Sequence, residues 1–161
     1  MRNVLLRITG KQYQDGGSDA DPIEFVTEGR FYEKDGVRYL EYDESELSGM
    51  EGCTTLLEIR PQRVYMTRSG AAVALDTIMD FETGKRCSSI YQTPFGPIGM
   101  ELLTNSVRNR LSGGTRGSGS PLSGGVFIDY HVSLRGMGEM RNLLNIEILE
   151  DRGEIPETIL N

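Results

Sequence analysis

The chain holds a single histidine, His131, with Asp129 two residues before it. General acid–base or nucleophilic catalysis would need that imidazole to be held by a carboxylate beside a nucleophile. Same-face neighbours along a strand stand about 7 Å apart, too far for a direct bond. His131 therefore reads as a solvated surface imidazole, and no catalytic residue is expected. Cys53 and Cys87 lack CxxC spacing. With one histidine they cannot complete a common zinc set. Free thiols and no metal or cofactor are the expectation.

Two further stretches look like ligand loops and fail on detail. Asp43-Glu44-Ser45-Glu46 alternates oxygen-bearing side chains, but the glycine and the twelfth-position Glu of an EF-hand are not in place. It reads as a solvated acidic rim. Residues 112–125, SGGTRGSGSPLSGG, contain six Gly and four Ser among fourteen. A phosphate loop there would need a following GKS or GKT and a helix, whereas Val126 opens an alternating, strand-like run. A flexible hairpin tip, dispensable for folding, is expected.

Arginines and tyrosines are more informative. Val64, Met66 and Arg68 share one strand face, so Arg68 points where its apolar neighbours point. Tyr130 sits between Ile128 and Val132 on its own inward face. Arg38, Leu40 and Tyr42 form a third such set, and Tyr91 shares a face with Ser89 and Thr93. A guanidinium and phenols converging inside a small barrel suit an anionic head group, with the apolar wall holding a tail. A buried guanidinium also needs a counter-charge. Glu41 and Glu58 are the carboxylates expected within reach of Arg68. The structural alternative has the tyrosine hydroxyls bonded to backbone and Arg68 capping the rim beside Ser69-Gly70.

The elements that must position these groups are strands. From Val126 the apolar positions run Val126, Ile128, Tyr130, Val132, Leu134, and Leu144, Ile146, Ile148 repeat the pattern after Gly136-Met137-Gly138. Turn signals at Lys34-Asp35-Gly36, Arg60-Pro61-Gln62-Arg63, Ser69-Gly70, Thr83-Gly84-Lys85 and Pro94-Phe95-Gly96-Pro97 divide the chain further. About ten strands follow, over 3–12, 23–33, 37–44, 53–59, 64–68, 72–81, 86–93, 98–111, 126–135 and 144–148. Residues 105–110 are the nearest approach to a helical turn, although Thr, Val and Asn there favour strand or loop. Sequential strands without crossover helices give an antiparallel meander. Closing it into a single all-β barrel of about 8–10 strands covers the apolar faces and removes the edges. Gly29 interrupts the second strand where a barrel corner would bend.

The 161 residues suit one domain: a barrel over 1–150 with a C-terminal tail at 151–161. Seventeen basic and 24 acidic side chains give a net charge of −7, which argues against nucleic acid and anionic membrane as partners. The acid excess lies mainly in residues 1–51. No long apolar run or secretory signal is present, so a cytoplasmic location is expected.

The order of segments resembles the YwiB-like proteins, a bacterial family of unknown function with calycin-type β-barrel architecture. The likeness is carried by Ile23-Glu24-Phe25, Gly29, Tyr39-Leu40-Glu41-Tyr42, Thr54-Thr55, Arg68-Ser69-Gly70, Tyr91-Gln92-Thr93-Pro94-Phe95-Gly96 and Asp129-Tyr130. It implies a barrel related in architecture to lipocalins and fatty-acid-binding proteins, and brings no activity or functional residue with it. The expected function is binding of a small amphipathic or anionic molecule inside the barrel, with Arg68, Tyr130, Tyr42, Tyr91 and Arg38 as the ligand-facing set. The alternative is a protein–protein interaction module whose barrel is filled by side chains.

Overall fold

The computed structural model describes residues 1–14, 22–46, 51–70, 76–93, 96–115, 119–135 and 138–155. Ten strands account for nearly all of them: β1 (Arg2–Gln14), β2 (Ile23–Lys34), β3 (Val37–Asp43), β4 (Cys53–Arg60), β5 (Arg63–Gly70), β6 (Thr77–Glu82), β7 (Arg86–Thr93), β8 (Gly96–Asn109), β9 (Gly125–Leu134) and β10 (Gly138–Glu154). All pairings are antiparallel, in the order β6-β5-β4-β3-β2-β1-β10-β9-β8-β7. The strands thus run in chain order around a nearly closed barrel, and β1 meets β10. The seam lies between β6 and β7, which share a turn but no backbone ladder. Ser89 Oγ spans it by donating to the Ile78 carbonyl at 2.6 Å. Among the described residues no helix is long and apolar enough to cross a membrane.

Period-two alternation sets the inside. Val4, Leu6, Leu40, Leu57, Val64, Met66, Phe81, Leu102, Ile128 and Ile146 are buried to 0–1% exposure and fill the middle of the barrel. The β2–β3 hairpin turns on Asp35-Gly36, both at positive φ, the geometry that matches the twist of its flanking strands. The 105–110 stretch is strand to Asn109, with a register irregularity between Thr104 and Ser106. Gly29 has a sharper reason than a bend. A Cβ there would come within 2.6 Å of Leu6 Cδ1 and 3.0 Å of the Glu41 carbonyl, so its absence lets three strands close up over the core.

Two boundaries depart from the sequence expectation. The chain does not become a tail at 151, because β10 continues to Glu154 and pairs with Arg2; residues 156–161 lie outside the described residues. Residues 112–125, apart from the undescribed 116–118, form the hairpin connection of β8 and β9, and Gly114 and Leu122 tie it to the barrel end. Leu122 is 2% exposed and belongs to the core cluster. Ser112 and Ser123 form a bridge, and a Cβ at Gly114 would touch Leu122 and Phe31. Composition counted the glycines and serines, while one leucine anchors the segment. The predicted sixth strand began at 72; the observed one begins at Thr77, and 71–75 lie outside the described residues.

Candidate functional site

At the end of the barrel where β1, β3 and β5 finish, a cavity of about 200 Å³ opens between the strands. Ile8, Phe25 and Leu144 give it apolar walls, and Tyr42, Glu44, Arg68, Tyr130 and Asn142 give it polar ones. Strand register explains the convergence. Tyr42 on β3 faces Thr55 on β4, which faces Arg68 on β5. On the other wall Tyr130 of β9 faces Asn142 of β10.

Arg68 is held inside by hydroxyls and a carboxylate. Its Nε donates to Thr55 Oγ1 at 3.2 Å, and Nη2 lies 3.3 Å from Glu44 Oε1. Thr55 passes the contact on, donating to Glu44 at 2.6 Å, and the Tyr42 hydroxyl also hydrogen-bonds Glu44. The Glu44 side chain is 2% exposed and that of Arg68 18%. Burial alone would pull the Arg68 pKa down, but the Glu44 carboxylate and the phenols of Tyr42, Tyr130 and Tyr91 more than offset it and raise it. Burial, reinforced by Glu44, drives the Tyr42 phenol far above its ordinary value, and burial raises Tyr130 likewise. At neutral pH the site presents the Arg68 guanidinium and the neutral phenols of Tyr42 and Tyr130 around the buried Glu44 side chain.

The sequence expectation for Arg68 is corrected in its partner. Glu41 is taken by Arg30 at 2.6 Å, and Glu58 by Arg60 at 2.9 Å. Glu44, assigned to a solvated rim, is the counter-ion. Its signal was available: the inward alternation of Leu40 and Tyr42 lands next on Glu44. Thr55 and Asn142 were missed for the ordinary reason that polar residues on inward faces look like outward ones.

Of the five predicted ligand-facing residues, Arg68, Tyr42 and Tyr130 line the cavity. Tyr91 is partly buried against the core and close enough to act electrostatically on Arg68 and Tyr130. Arg38 is not brought to the group. It sits four residues from Tyr42, about 13 Å along the strand, toward the opposite end. There it lies 5.9 Å above the Phe31 ring and 3.2 Å from Glu33. His131 stays on the outer face, where Asn105 bridges it to Asp129 at 3.0 Å on each side, and Arg141 pairs with the same Asp129 at 2.6 Å. Among the described residues no group of His, Cys, Asp and Glu is arranged to hold a metal ion.

Fold and site together define an antiparallel up-and-down β-barrel with a small mixed cavity at one mouth. Residues 6–146 match the model of a family described as a domain of unknown function, DUF1934. The chain belongs to that family. Its fold is similar to the crystal structure of the YwiB protein from Bacillus subtilis, with a TM-score of 0.65 and 21% identity over 92% of this chain and 94% of that one. No curated protein sequence matches the chain.

Proposed function

We propose that the barrel binds a small amphipathic molecule, its polar end beside Arg68 and its apolar part against Ile8, Phe25 and Leu144. The observation that carries this reading is a buried guanidinium set in the wall of a cavity that opens to solvent. Taking a guanidinium out of water has a free-energy cost that a single 3.3 Å carboxylate contact returns only in part, so an anion in the cavity would add to its stabilisation. Lys11 at the rim joins Arg68 against Glu44, leaving one positive charge in excess among the lining residues, which suits a monoanionic head. The cavity falls below the roughly 300–1,000 Å³ of drug-sized sites, so the ligand is compact. The proposal takes the barrel as calycin-type and the protein as a cytoplasmic bacterial one.

Native mass spectrometry of the protein purified from its own cells tests this by looking for a retained small molecule. Titration with a fluorescent short-chain carboxylate should show saturable binding that Arg68→Met abolishes while the thermal melt stays cooperative. Absence of binding in the wild-type protein across such acids, with no retained molecule, would overturn the reading. Ile78 and Ile90, 40% and 51% exposed on the two strands of the seam, favour a second reading as a protein-docking module. It predicts that Ile78→Thr/Ile90→Thr disrupts capture of a partner and leaves small-molecule binding alone.

A further inference from the structure

The barrel carries a second candidate site on its outer surface, remote from the mouth. Arg108 on β8 faces Phe127 on β9, and Phe127 faces Asn145 on β10. All three point outward, because their neighbours Val107, Val126, Ile128 and Ile146 are buried in the core. Arg110 follows Arg108 by two residues, and its backbone is tied to β9 by the 2.8 Å bond from Arg110 N to the Gly125 carbonyl. Together with Gly125, these side chains border a groove of about 240 Å³.

The charges there are unusual for this molecule. Most described arginines hold a carboxylate within ion-pairing distance, among them Arg2, Arg30, Arg63 and Arg141. Arg108 and Arg110 have no such partner among the described residues. The nearest outward carboxylates by register are already engaged: Asp129 on β9 pairs with Arg141 at 2.6 Å, and Glu147 on β10 is drawn to Arg7 at 3.5 Å. In a chain of net charge −7, two neighbouring cations without a counter-ion make a local positive spot.

We propose that this groove binds a nucleoside monophosphate. Arg108 and Arg110, about 7 Å apart along the chain, straddle a phosphate with charge-assisted hydrogen bonds. Phe127 supplies an aromatic platform on which a base stacks. Asn145, whose amide both donates and accepts, meets the polar edge of that base. Neighbouring strands are about 4.8 Å apart, so the row from Arg108 to Asn145 spans about 10 Å, roughly the length of one nucleotide. The net negative charge of the whole molecule disfavours a longer polyanion.

Calorimetric titration with adenosine 5′-monophosphate, adenosine and inorganic phosphate tests the assignment on the intact protein. The monophosphate should bind saturably and more tightly than either adenosine or phosphate alone, and less tightly as salt rises. Arg108→Ala/Arg110→Ala should weaken it by about tenfold, the scale of two exposed charge-assisted contacts. Phe127→Leu should weaken the monophosphate and leave phosphate unchanged. Melting curves of the surface variants establish that they remain folded. No saturable binding, equal binding of phosphate and monophosphate, or affinity untouched by the double arginine variant would each overturn the proposal.

Discussion

Among the described residues a largely buried arginine–carboxylate pair stands at each end of the barrel, and the two are built differently. At the closed end Arg2 grips Asp151 with Nε at 3.0 Å and Nη2 at 2.8 Å. Asp151 also accepts the backbone N–H of Leu122 at 2.7 Å and of Gly153 at 2.9 Å. At the mouth Arg68 meets Glu44 through one 3.3 Å contact, and hydroxyls make the shorter bonds. Side-chain exposure is nearly the same, 18% and 3% for Arg2 and Asp151 against 18% and 2% for Arg68 and Glu44. Surface exposure therefore does not separate them; depth and saturation do, since Asp151 lies near the surface and Arg68 deep in the barrel. Asp151 joins the N-terminal strand, the C-terminal strand and the 112–124 segment in one bidentate, fully engaged cluster. Glu44 is satisfied largely by Thr55 and Tyr42, which leaves the Arg68 charge only loosely committed beside a cavity.

The largest effect should come from Asp151→Ala. It strands the Arg2 guanidinium and removes the acceptor of the Leu122 amide, costing about 3 kcal/mol or more in denaturant unfolding. A loss under about 1 kcal/mol, the scale of an exposed pair, would break the contrast between the ends. Leu122→Ala should follow at about 2–3 kcal/mol from lost core packing. Replacing residues 112–124 by a tight turn should cost at least as much, against the roughly 1 kcal/mol that loop-closure entropy alone allows.

At the mouth, Arg68→Met leaves a buried carboxylate without its cation, whereas Arg68→Met/Glu44→Gln removes both charges together. The double variant should unfold within about 1 kcal/mol of wild type and be more stable than the single one. Equal losses would mean that Thr55 and Tyr42 carry Glu44 without help from Arg68. A smaller, pH-dependent difference should separate the ends in opposite directions. Burial alone would raise the Asp151 carboxyl, but Arg2 and the Leu122 and Gly153 amides outweigh it and hold it below the usual range. Its stabilisation is complete above the unfolded aspartate value, about 3.9, and is lost as pH falls through the lower folded value. Tyr42 and Tyr130 are raised. Their contribution is complete below the unfolded phenol value of about 10 and fades as pH rises above it. Unfolding curves across pH should show Asp151→Asn flattening the acid limb and Tyr42→Phe the alkaline one.

Much of the fold was legible because apolar side chains at every second position admit only one inward face. Val64-Met66-Arg68 placed a guanidinium inside before any contact was known, and Ile128-Tyr130-Val132 did the same for a phenol. Glu44 was obscured by its company. A run of four acidic and hydroxyl residues looks solvated, although the β3 alternation carries straight through it. Leu122 was hidden more deeply, since a lone leucine among glycines and serines has no periodicity to reveal it.

The sequence by itself determined that the chain is a strand meander with an inward Arg68, because side-chain direction along a strand depends only on local geometry. Which carboxylate meets Arg68, which arginine stays remote from the site, and what Leu122 packs against were decided only by the tertiary structure. Those outcomes depend on register between strands and on closure of the barrel. Both bring together residues distant in the chain, such as Arg2 with Asp151, and neither is a property of any single strand.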